Sequence, residues 1–478
     1  MNVGSRPWAP PGPARYPKCN QAFGAKPARR FLVALYRKAM KLFILVTAPA
    51  AGLRLVSTRE PTFNTPNSLA VNPKEDGIVY RHKQNNFQNM QYYGDFQIGT
   101  PGQTMSGIFD TGSFDLLVLS EKCTHCPADA KYDSSKSSSF VAEGTKQRHC
   151  YGSGCADTEI GFEAVTVGPL RASKQAFWEI THHEIPVMDF ARFQAIVGVG
   201  HSDSPSMDHP TMCQNFHIDE FAFCLEKGDG APGWLYWGGE PHLHSQMAAM
   251  PVVAKNHWGA IMKEVGVRRA DGSMVTFDAC KPTCSAIIDS GTSLIALPKD
   301  QLRQLEKEIG HVASDCSNID ELPTLTFNLG GHFFELPPRT YVVRTQSPRV
   351  DTSDSGLLKI LTFQPKVEMK TVCMHSFFAM DQKTQHGPMW ILGDPWLRHY
   401  YTIYNRPTKT MYAAPAGADC RPSTYVNFMD ASNNVNVTAF NLLHDELALQ
   451  GPREPVMVNL NAARNPWADR LVDGVMEI

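Results

Sequence analysis

The stretch Gly107-Ile108-Phe109-Asp110-Thr111-Gly112-Ser113 decides the fold, because the chain nearly repeats it 179 residues later as Ala286-Ile287-Ile288-Asp289-Ser290-Gly291-Thr292. In both copies an Asp ends an apolar strand and is followed by a hydroxyl residue, a Gly and a second hydroxyl residue. A buried carboxylate is costly unless it is paired or shares a proton. The two copies therefore predict one shared site, and two unrelated buried turns are the alternative.

A second repeated feature accompanies these Asp motifs. Each is followed downstream by two apolar residues and a Gly, as Ile196-Val197-Gly198 in the first half and Ile391-Leu392-Gly393 in the second. Internal similarity of this kind predicts two similar lobes. The length of 478 residues agrees, since it exceeds what a single core supports.

Three further motifs carry a resemblance to a known family. They are Tyr92-Tyr93-Gly94-Asp95-Phe96-Gln97-Ile98-Gly99-Thr100-Pro101, Tyr151-Gly152-Ser153-Gly154 and Trp390-Ile391-Leu392-Gly393-Asp394. With the Asp motifs, they make residues 89–415 similar to the pepsin-like aspartic proteases. The resemblance implies a mostly β fold with two pseudo-symmetric β lobes and a cleft between them. We assign residues 89–245 to the N-terminal lobe and 246–416 to the C-terminal lobe.

The resemblance also implies the roles of individual residues. Asp110 and Asp289 would be catalytic and would activate a water between them without a metal or cofactor. Their hydroxyl neighbours would hold the loops: Ser113 and Thr292 by hydrogen bonds to the outer carboxylate oxygens, Thr111 and Ser290 by bracing one loop against the other. The substrate-binding residues implied are Gly112 and Gly291 on the floor, and Tyr151, Gly152 and Ser153 on the flap.

This chain departs from the family pattern beside the first Asp. Phe114-Asp115 replaces a small polar pair, and Leu117 stands where most relatives have a Trp that supports the flap Tyr. Something else must then fix the flap. Cys150 and Cys155 flank it, and a disulfide between them would close a small loop that restricts the flap.

Twelve cysteines favour disulfides if the chain enters an oxidising compartment. The resemblance pairs Cys316 with Cys373, and position groups Cys123 with Cys126 and Cys280 with Cys284. We infer two local pairs besides, Cys150–Cys155 and Cys213–Cys224. This assignment leaves Cys19 and Cys420 without a predicted disulfide partner.

Short strands and tight turns are predicted for residues 91–168, where apolar runs alternate with Gly, Pro, Ser and Asp clusters. Helices are expected at residues 215–225 and 299–309, and a strand at 234–239. The β pattern resumes at residues 261–267 and 322–341.

Metal and nucleotide sites are not indicated. Cys123-Thr124-His125-Cys126 lacks the second half of a zinc site and the βαβ context of a redox motif. His182-His183-Glu184 lacks helical ligand spacing and a third ligand, so a solvated loop is expected there. Gly198-Val199-Gly200 is interpreted as a turn.

The N-terminal region is basic. Residues 1–89 hold 14 Lys and Arg against 3 Asp and Glu. The uncharged run of residues 42–53 is typical of the apolar core of a signal peptide, although it lies far from Met1. Either translation begins at Met40 or residues 1–39 are an added segment, and a disordered Pro-rich arm is the alternative to both. We assign residues 1–50 to this extension.

Residues 51–88 are expected to be a propeptide. Their basic side chains could cover an acidic cleft until acid protonates its carboxylates, and a solvated linker is the simpler alternative. After the lobes, residues 417–478 form an extension without an assigned role. It contains a glycosylation sequon at Asn436 and no run of membrane length.

The sequence thus predicts an acid aspartic endopeptidase, made as a zymogen and located in the secretory pathway, either secreted or endolysosomal. The expected partners are polypeptide substrates and pepstatin-type inhibitors, and we expect a monomer without a transmembrane anchor. Residues 90–478 carry 31 Lys and Arg against 44 Asp and Glu, a sign that argues against nucleic acid. A non-catalytic peptide-binding relative is the main rival, and a two-carboxylate glycosidase would leave the paired apolar-apolar-Gly segments unexplained.

Overall fold

A computed structural model describes residues 78–126, 130–201, 209–226, 228, 230–350, 367–424 and 475–476. The predicted signal peptide, Cys19, the sequon at Asn436 and most of the two extensions lie outside these residues. In the part of the chain that is described, no helix is long and apolar enough to cross a membrane.

The first half of the described chain is built from strands joined by short turns, as predicted. Its strands are β1 Ile78–Phe87, β2 Gln91–Ile98, β3 Gln103–Asp110, β4 Leu116–Leu119, β5 Val141–Tyr151, β6 Gly154–Val167, β7 Leu170–His183, β8 Ala195–Gly198, β9 Glu220–Leu225 and β10 Gly233–Gly238. A four-residue helix, α1 Met212–Asn215, and 3-10 turns at Ser134–Lys136 and Pro186–Asp189 interrupt them.

The second half resumes the same architecture. Its strands are β11 Ala248–Pro251, β12 Gly259–Arg268, β13 Met274–Thr276, β14 Cys284–Ile288, β15 Ile295–Leu297, β16 Thr324–Leu329, β17 His332–Leu336, β18 Val342–Val350, β19 Val367–His375, β20 Phe377–Ala379, β21 Lys383–Thr384, β22 Gly387–Leu392, β23 Tyr400–Asn405, β24 Thr410–Pro415 and β25 Val475–Met476. The helices are α2 Lys299–Ile309, α3 Pro338–Tyr341 and α4 Asp394–Leu397, with 3-10 turns at Pro241–Gln246, Asp278–Cys280 and Ile319–Glu321.

Two large sheets carry the two Asp motifs. A 13-stranded sheet runs β11-β24-β23-β9-β10-β1-β2-β3-β8-β4-β7-β6-β5, and a second sheet contains β14, β22 and β15 as neighbours. Strand β9 of the first half pairs with β23 of the second, so the first sheet joins the two halves of the chain. The mostly β, two-lobed fold class predicted from the sequence is confirmed.

The apolar-apolar-Gly segments pair with the Asp strands in both halves. Strand β3 runs parallel to β8, with Asp110 opposite Gly198. Strand β14 runs parallel to β22, with Ile288 opposite Leu392. Both Asp strands end in buried residues: Phe109 and Asp110 are buried at the end of β3, and every residue of β14 is buried before Asp289.

Two local predictions were wrong. Residues 215–225 are not a helix: α1 ends at Asn215, and Glu220–Leu225 is strand β9, buried at every position. An apolar run covered on both faces has no period that separates a strand from a buried helix. His182 and His183 end strand β7 rather than lying in a loop. The helix predicted at residues 299–309 and the strand near 234–239 are confirmed by α2 and β10.

One predicted disulfide was also wrong. Cys224 pairs with Cys420 across 196 residues, and Cys213 is a buried free thiol. Cys224 and Cys420 both lie in a small cluster with Tyr236 and Tyr401, whereas Cys213 belongs to the main core. The other inferred pairs are present, namely Cys123–Cys126, Cys150–Cys155, Cys280–Cys284 and Cys316–Cys373.

Strand β1 brings a buried histidine behind the first Asp motif. The His82 ring is 4% exposed and meets the Phe109 ring edge-on at 4.9 Å between centroids. Its Nδ1 atom has no hydrogen-bond partner among the described residues. Burial lowers the pKa of His82 to about 4, and the neighbouring Asp95 opposes this only in part. His82 therefore stays neutral in the folded protein at a pH at which an exposed histidine becomes protonated.

We expect this histidine to make folding acid-sensitive. Because the pKa of His82 in the folded protein lies below its ordinary value, protonation of His82 favours the unfolded state. His82 therefore costs no stability above about pH 6.5, and the free energy of unfolding decreases as pH falls toward 4. The full loss is at most about 3 kcal/mol. Urea unfolding at about pH 7 and about pH 4.5 should show a smaller acid loss for His82→Gln than for wild type. The exposed His182→Gln is the control, and equal acid losses in all three proteins would contradict the prediction.

Candidate active site

The two Asp motifs meet as matched loops. Gly112 N–H donates to Asp110 Oδ1 at 2.8 Å, and Ser113 Oγ donates to Asp110 Oδ2 at 2.6 Å. In the second loop, Gly291 N–H donates to Asp289 Oδ1 at 2.8 Å, and Thr292 Oγ1 donates to Asp289 Oδ2 at 2.6 Å. The same donors at the same distances fix both carboxylates, so the loops are related by a local two-fold arrangement.

The middle hydroxyl residues lock one loop to the other. Thr111 Oγ1 donates to Ile288 O at 2.9 Å, and Ser290 Oγ donates to Phe109 O at 2.6 Å. In return, each hydroxyl oxygen accepts the backbone N–H of the other residue, at 3.0 and 2.9 Å. The hydroxyl and the N–H group of both Thr111 and Ser290 are therefore used, and these bonds hold the two loops in a fixed relation.

The glycines of the motifs make room for the opposite carboxylate. A Cβ built on Gly112 would lie 2.7 Å from Asp289 Oδ1, and one built on Gly291 would overlap Asp110 Oδ1. Gly198 and Gly393 are needed one layer below, where a Cβ would overlap the backbone at Phe114 and Thr292 respectively. The Gly in each apolar-apolar-Gly segment thus permits the close approach that seats the Asp loop.

Burial and proximity together perturb the acid pair. Asp110 is 7% exposed and Asp289 is 8% exposed. Burial, and then the negative charge of Asp289, raise the pKa of Asp110 well above its ordinary value, while Ser113 and Gly112 partly oppose the shift. Two carboxylates that interact this strongly titrate as a pair and hold one proton between them.

The flap is the hairpin of β5 and β6. Tyr151 pairs with Gly154, and Cys150 pairs with Cys155 both in register and through a disulfide. Burial raises the pKa of the Tyr151 hydroxyl well above its ordinary value, followed by the charges of Asp110 and Asp115. The Tyr151 ring therefore lies close to the first catalytic loop, with Gly152 and Ser153 at the turn.

Sequence reasoning missed three ionisable neighbours of this centre. His257 meets Phe114 edge-on at 6.3 Å, and burial lowers its pKa against the opposing charge of Asp289. Asp394 is 3% exposed, its N–H donates to Thr292 O at 2.9 Å, and burial raises its pKa well above the ordinary value. His149 lies on β5, the first strand of the flap hairpin, and is buried. Only Asp394 stood in a motif, and no spacing rule pointed to the other two.

Two carboxylates fixed in this way can act together with one water molecule, one as the general base and the other as the general acid. In the described residues, no group of His, Cys, Asp and Glu is arranged to hold a metal ion. Comparison with known proteins decides the family: a profile of the eukaryotic aspartyl proteases matches residues 91–416. The chain belongs to the eukaryotic aspartyl protease family.

Several relatives of this aspartyl protease cover most of its length. Cathepsin D of Rattus norvegicus is 33% identical over 348 residues, which span 67% of this chain and 79% of the rat protein. Cathepsin D of Dictyostelium discoideum is 32% identical, spanning 69% and 84%. A protein of Arthroderma benhamiae named "probable vacuolar protease A" is 31% identical, spanning 76% and 87%. The aspartyl protease is an aspartic endopeptidase.

Proposed function

We propose that this endopeptidase cleaves peptide bonds with a water held between Asp110 and Asp289. The ionised member of the pair takes a proton from the water, whose oxygen attacks the scissile carbonyl carbon. The protonated member donates to the carbonyl oxygen, which gives a gem-diol. The C–N bond then breaks as the amine nitrogen takes a proton from the pair and one gem-diol hydroxyl returns its proton to the pair, which leaves a carboxyl group and restores the single shared proton. Two carboxylates this close do not both ionise easily, so the pair keeps the single proton that this division of roles needs.

The observation that carries this proposal is the crossing of the two Asp loops. Each Gly leaves the space that the opposite carboxylate fills, since a Cβ built on Gly112 would lie 2.7 Å from Asp289 Oδ1. A structural ion site, or two unrelated turns, would not require equivalent hydrogen-bond donors to hold the Asp carboxylate in both loops. The shared proton that follows from this proximity is what acid–base hydrolysis requires.

An extended polypeptide is the proposed substrate. The glycines at positions 112 and 291 leave the floor free of side chains, and Tyr151, Gly152 and Ser153 face it from the hairpin. Backbone groups at a hairpin turn can pair with an extended peptide as an added strand. Pepstatin-type inhibitors would occupy the same groove, and the enzyme would act as a monomer because one chain supplies both Asp residues.

The secretory pathway is the proposed location. Five disulfides are present among the described residues, and such bonds persist in oxidising compartments. One relative is named as vacuolar, which fits a final compartment that is acidic. The proposal includes glycosylation at Asn436. It also includes entry into the secretory pathway by a signal peptide whose apolar core is residues 42–53.

The mature N-terminus is predicted to lie before Ile78. Strand β1 falls within the region 51–88 that we expect to contain the propeptide, yet it pairs with β10 on one side and β2 on the other. Removing it would leave two unpaired strand edges in the middle of a sheet. Mass spectrometry of the acid-activated protein should therefore find a start between residues 51 and 78. A fully active form that begins after Phe87, or one that retains Met1 and is active without acid treatment, would contradict the prediction.

The proposed function is tested by one experiment. The acid-activated protein is incubated with an unfolded polypeptide across acid pH, with and without a pepstatin-type inhibitor. Hydrolysis in acid that the inhibitor blocks is expected. Cleavage that resists the inhibitor would refute the two-Asp mechanism, and binding of the peptide without cleavage at any pH would favour the non-catalytic alternative.

A further inference from the structure

The flap strand carries a buried histidine that the mechanism above does not use. His149 lies on β5 two residues before Tyr151, and side chains two apart on a strand share a face. The residue is 9% exposed, and its ring meets Trp178 of β7 edge-on at 4.6 Å between centroids. The ring therefore occupies a fixed place between the flap and the body of the lobe.

Hydrogen bonds set the protonation of one ring nitrogen. His149 Nδ1 lies 3.1 Å from Thr158 Oγ1. The Thr158 hydroxyl donates its own hydrogen to Gln147 O at 2.8 Å, so it can only accept from the ring. His149 Nδ1 consequently carries a hydrogen, and in the neutral ring Nε2 then presents a lone pair.

That second nitrogen faces a carboxylate. His149 Nε2 lies 3.3 Å from Asp115 Oδ2, and it has no hydrogen-bond partner among the described residues. A lone pair opposite a carboxylate oxygen is unfavourable, whereas one proton between the two atoms makes a charge-assisted hydrogen bond. A hydrogen bond therefore joins His149 Nε2 and Asp115 Oδ2 when a proton lies between them, and it is absent without that proton.

Asp115 connects this contact to the catalytic loop. It lies two residues after Ser113, the last residue of the Asp110 motif, and its backbone carbonyl accepts the N–H of Gly198 at 2.9 Å. The next strand pairs Leu117 with Trp178, the residue under the His149 ring. Leu117 and Trp178 lie in one apolar cluster against which Tyr151 packs, and the polar contact between the flap strand and the catalytic loop is that of His149 with Asp115.

We propose that His149 and Asp115 form a proton-dependent latch that holds the flap strand on the first catalytic loop and so positions Tyr151 over the substrate. The proposal rests on the endopeptidase function proposed above. Both residues act through the flap, so they are positioning residues. Acid closes the latch, and loss of the proton as pH rises opens it.

The surroundings of the ring leave Asp115 as the group that responds. Thr158 on β6 and Trp178 on β7 contact His149 without charge, and Tyr151 lies two residues along on the same face of β5. His209 lines the same cavity as Asp115 and Trp178, and its Nε2 atom lies 3.4 Å from Glu143 Oε2. Arg148 pairs with Asp157 and Glu184 at 2.7 Å each, on exposed side chains. Asp110 lies beyond Tyr151 and belongs to the catalytic pair.

Two substitutions should fix the latch in opposite states. His149→Phe keeps a ring against Trp178 but cannot bond to Asp115, so KM in acid should rise about tenfold, the effect of losing one charge-assisted hydrogen bond. Asp115→Asn offers an amide N–H to Nε2 without any proton uptake, so its KM should stay low as pH rises. Wild type should move from the low to the high value, with kcat changing less than KM in every case.

The measurement is KM and kcat from about pH 4 to about pH 7 for wild type, both variants and the exposed control His182→Phe. Hydrogen exchange of the peptide 141–154, compared between proteins at one pH, reports the flap without using activity. Faster exchange in His149→Phe than in wild type in acid is expected. Equal KM profiles and equal exchange in wild type and both variants would overturn the latch. Absence of inhibitor-sensitive hydrolysis in wild type would instead refute the proposed function, and the exchange comparison would still decide the latch.

Discussion

Asp289→Asn is expected to lower peptide hydrolysis by at least about a hundredfold, the loss typical of removing a general acid or base. An amide at this position can still accept the N–H of Gly291 and the hydroxyl of Thr292, which now bind the carboxylate at 2.8 and 2.6 Å. The loop therefore keeps its shape. The amide cannot take a proton from water or share one with Asp110, so the chemistry is lost while the fold remains.

The test is the turnover of an unfolded polypeptide by the purified variant, with its thermal unfolding recorded beside that of wild type. Asp300→Asn is a matched control, because Asp300 lies at the exposed start of helix α2 and pairs, among the described residues, with Arg303 at 2.9 Å. The control should keep full activity. A folded Asp289→Asn protein that retains more than about a hundredth of the wild-type rate would remove Asp289 from the mechanism.

The parts predicted from sequence are those that the duplication encodes. The Asp motif and the apolar-apolar-Gly segment occur once in each half, and the structure pairs them as neighbouring strands in both. The roles of the hydroxyl residues came from the resemblance to the pepsin-like proteases, and the hydrogen bonds of Ser113, Thr292, Thr111 and Ser290 agree with them. Repetition thus supplied the long-range information that a single local pattern lacks.

The errors arose where contacts join distant parts of the chain. Cys213 and Cys224 were paired because they are close in sequence, but their side chains enter different clusters, and Cys420 arrives from 196 residues away. His149 carried no signal because its significance depends on Asp115, which lies in the loop before β4, and on Trp178, which lies on β7. Tertiary placement of this kind cannot be derived from spacing along one strand.

Gly291→Ala is expected to lower kcat by more than about a hundredfold, because a displacement of about 1 Å at reacting groups costs that much. The added Cβ would overlap Asp110 Oδ1, an atom that Gly112 N–H holds at 2.8 Å. Neither side can yield freely, since Thr111 and Ser290 lock the loops together. The methyl group must therefore push Asp110 away from Asp289 and separate the two carboxylates that share the proton.

Gly102→Ala provides the matched control for this substitution. Its Cβ would lie 2.9 Å from Gln97 Oε1, the end of a flexible side chain that can turn aside. Both variants should fold, with Gly291→Ala destabilised by about 1–3 kcal/mol from overpacking. Steady-state kinetics with a peptide substrate and urea unfolding of both proteins decide the matter. A Gly291→Ala enzyme with kcat close to that of Gly102→Ala would mean that the two Asp side chains need not touch for hydrolysis, and the shared-proton mechanism would have to be abandoned.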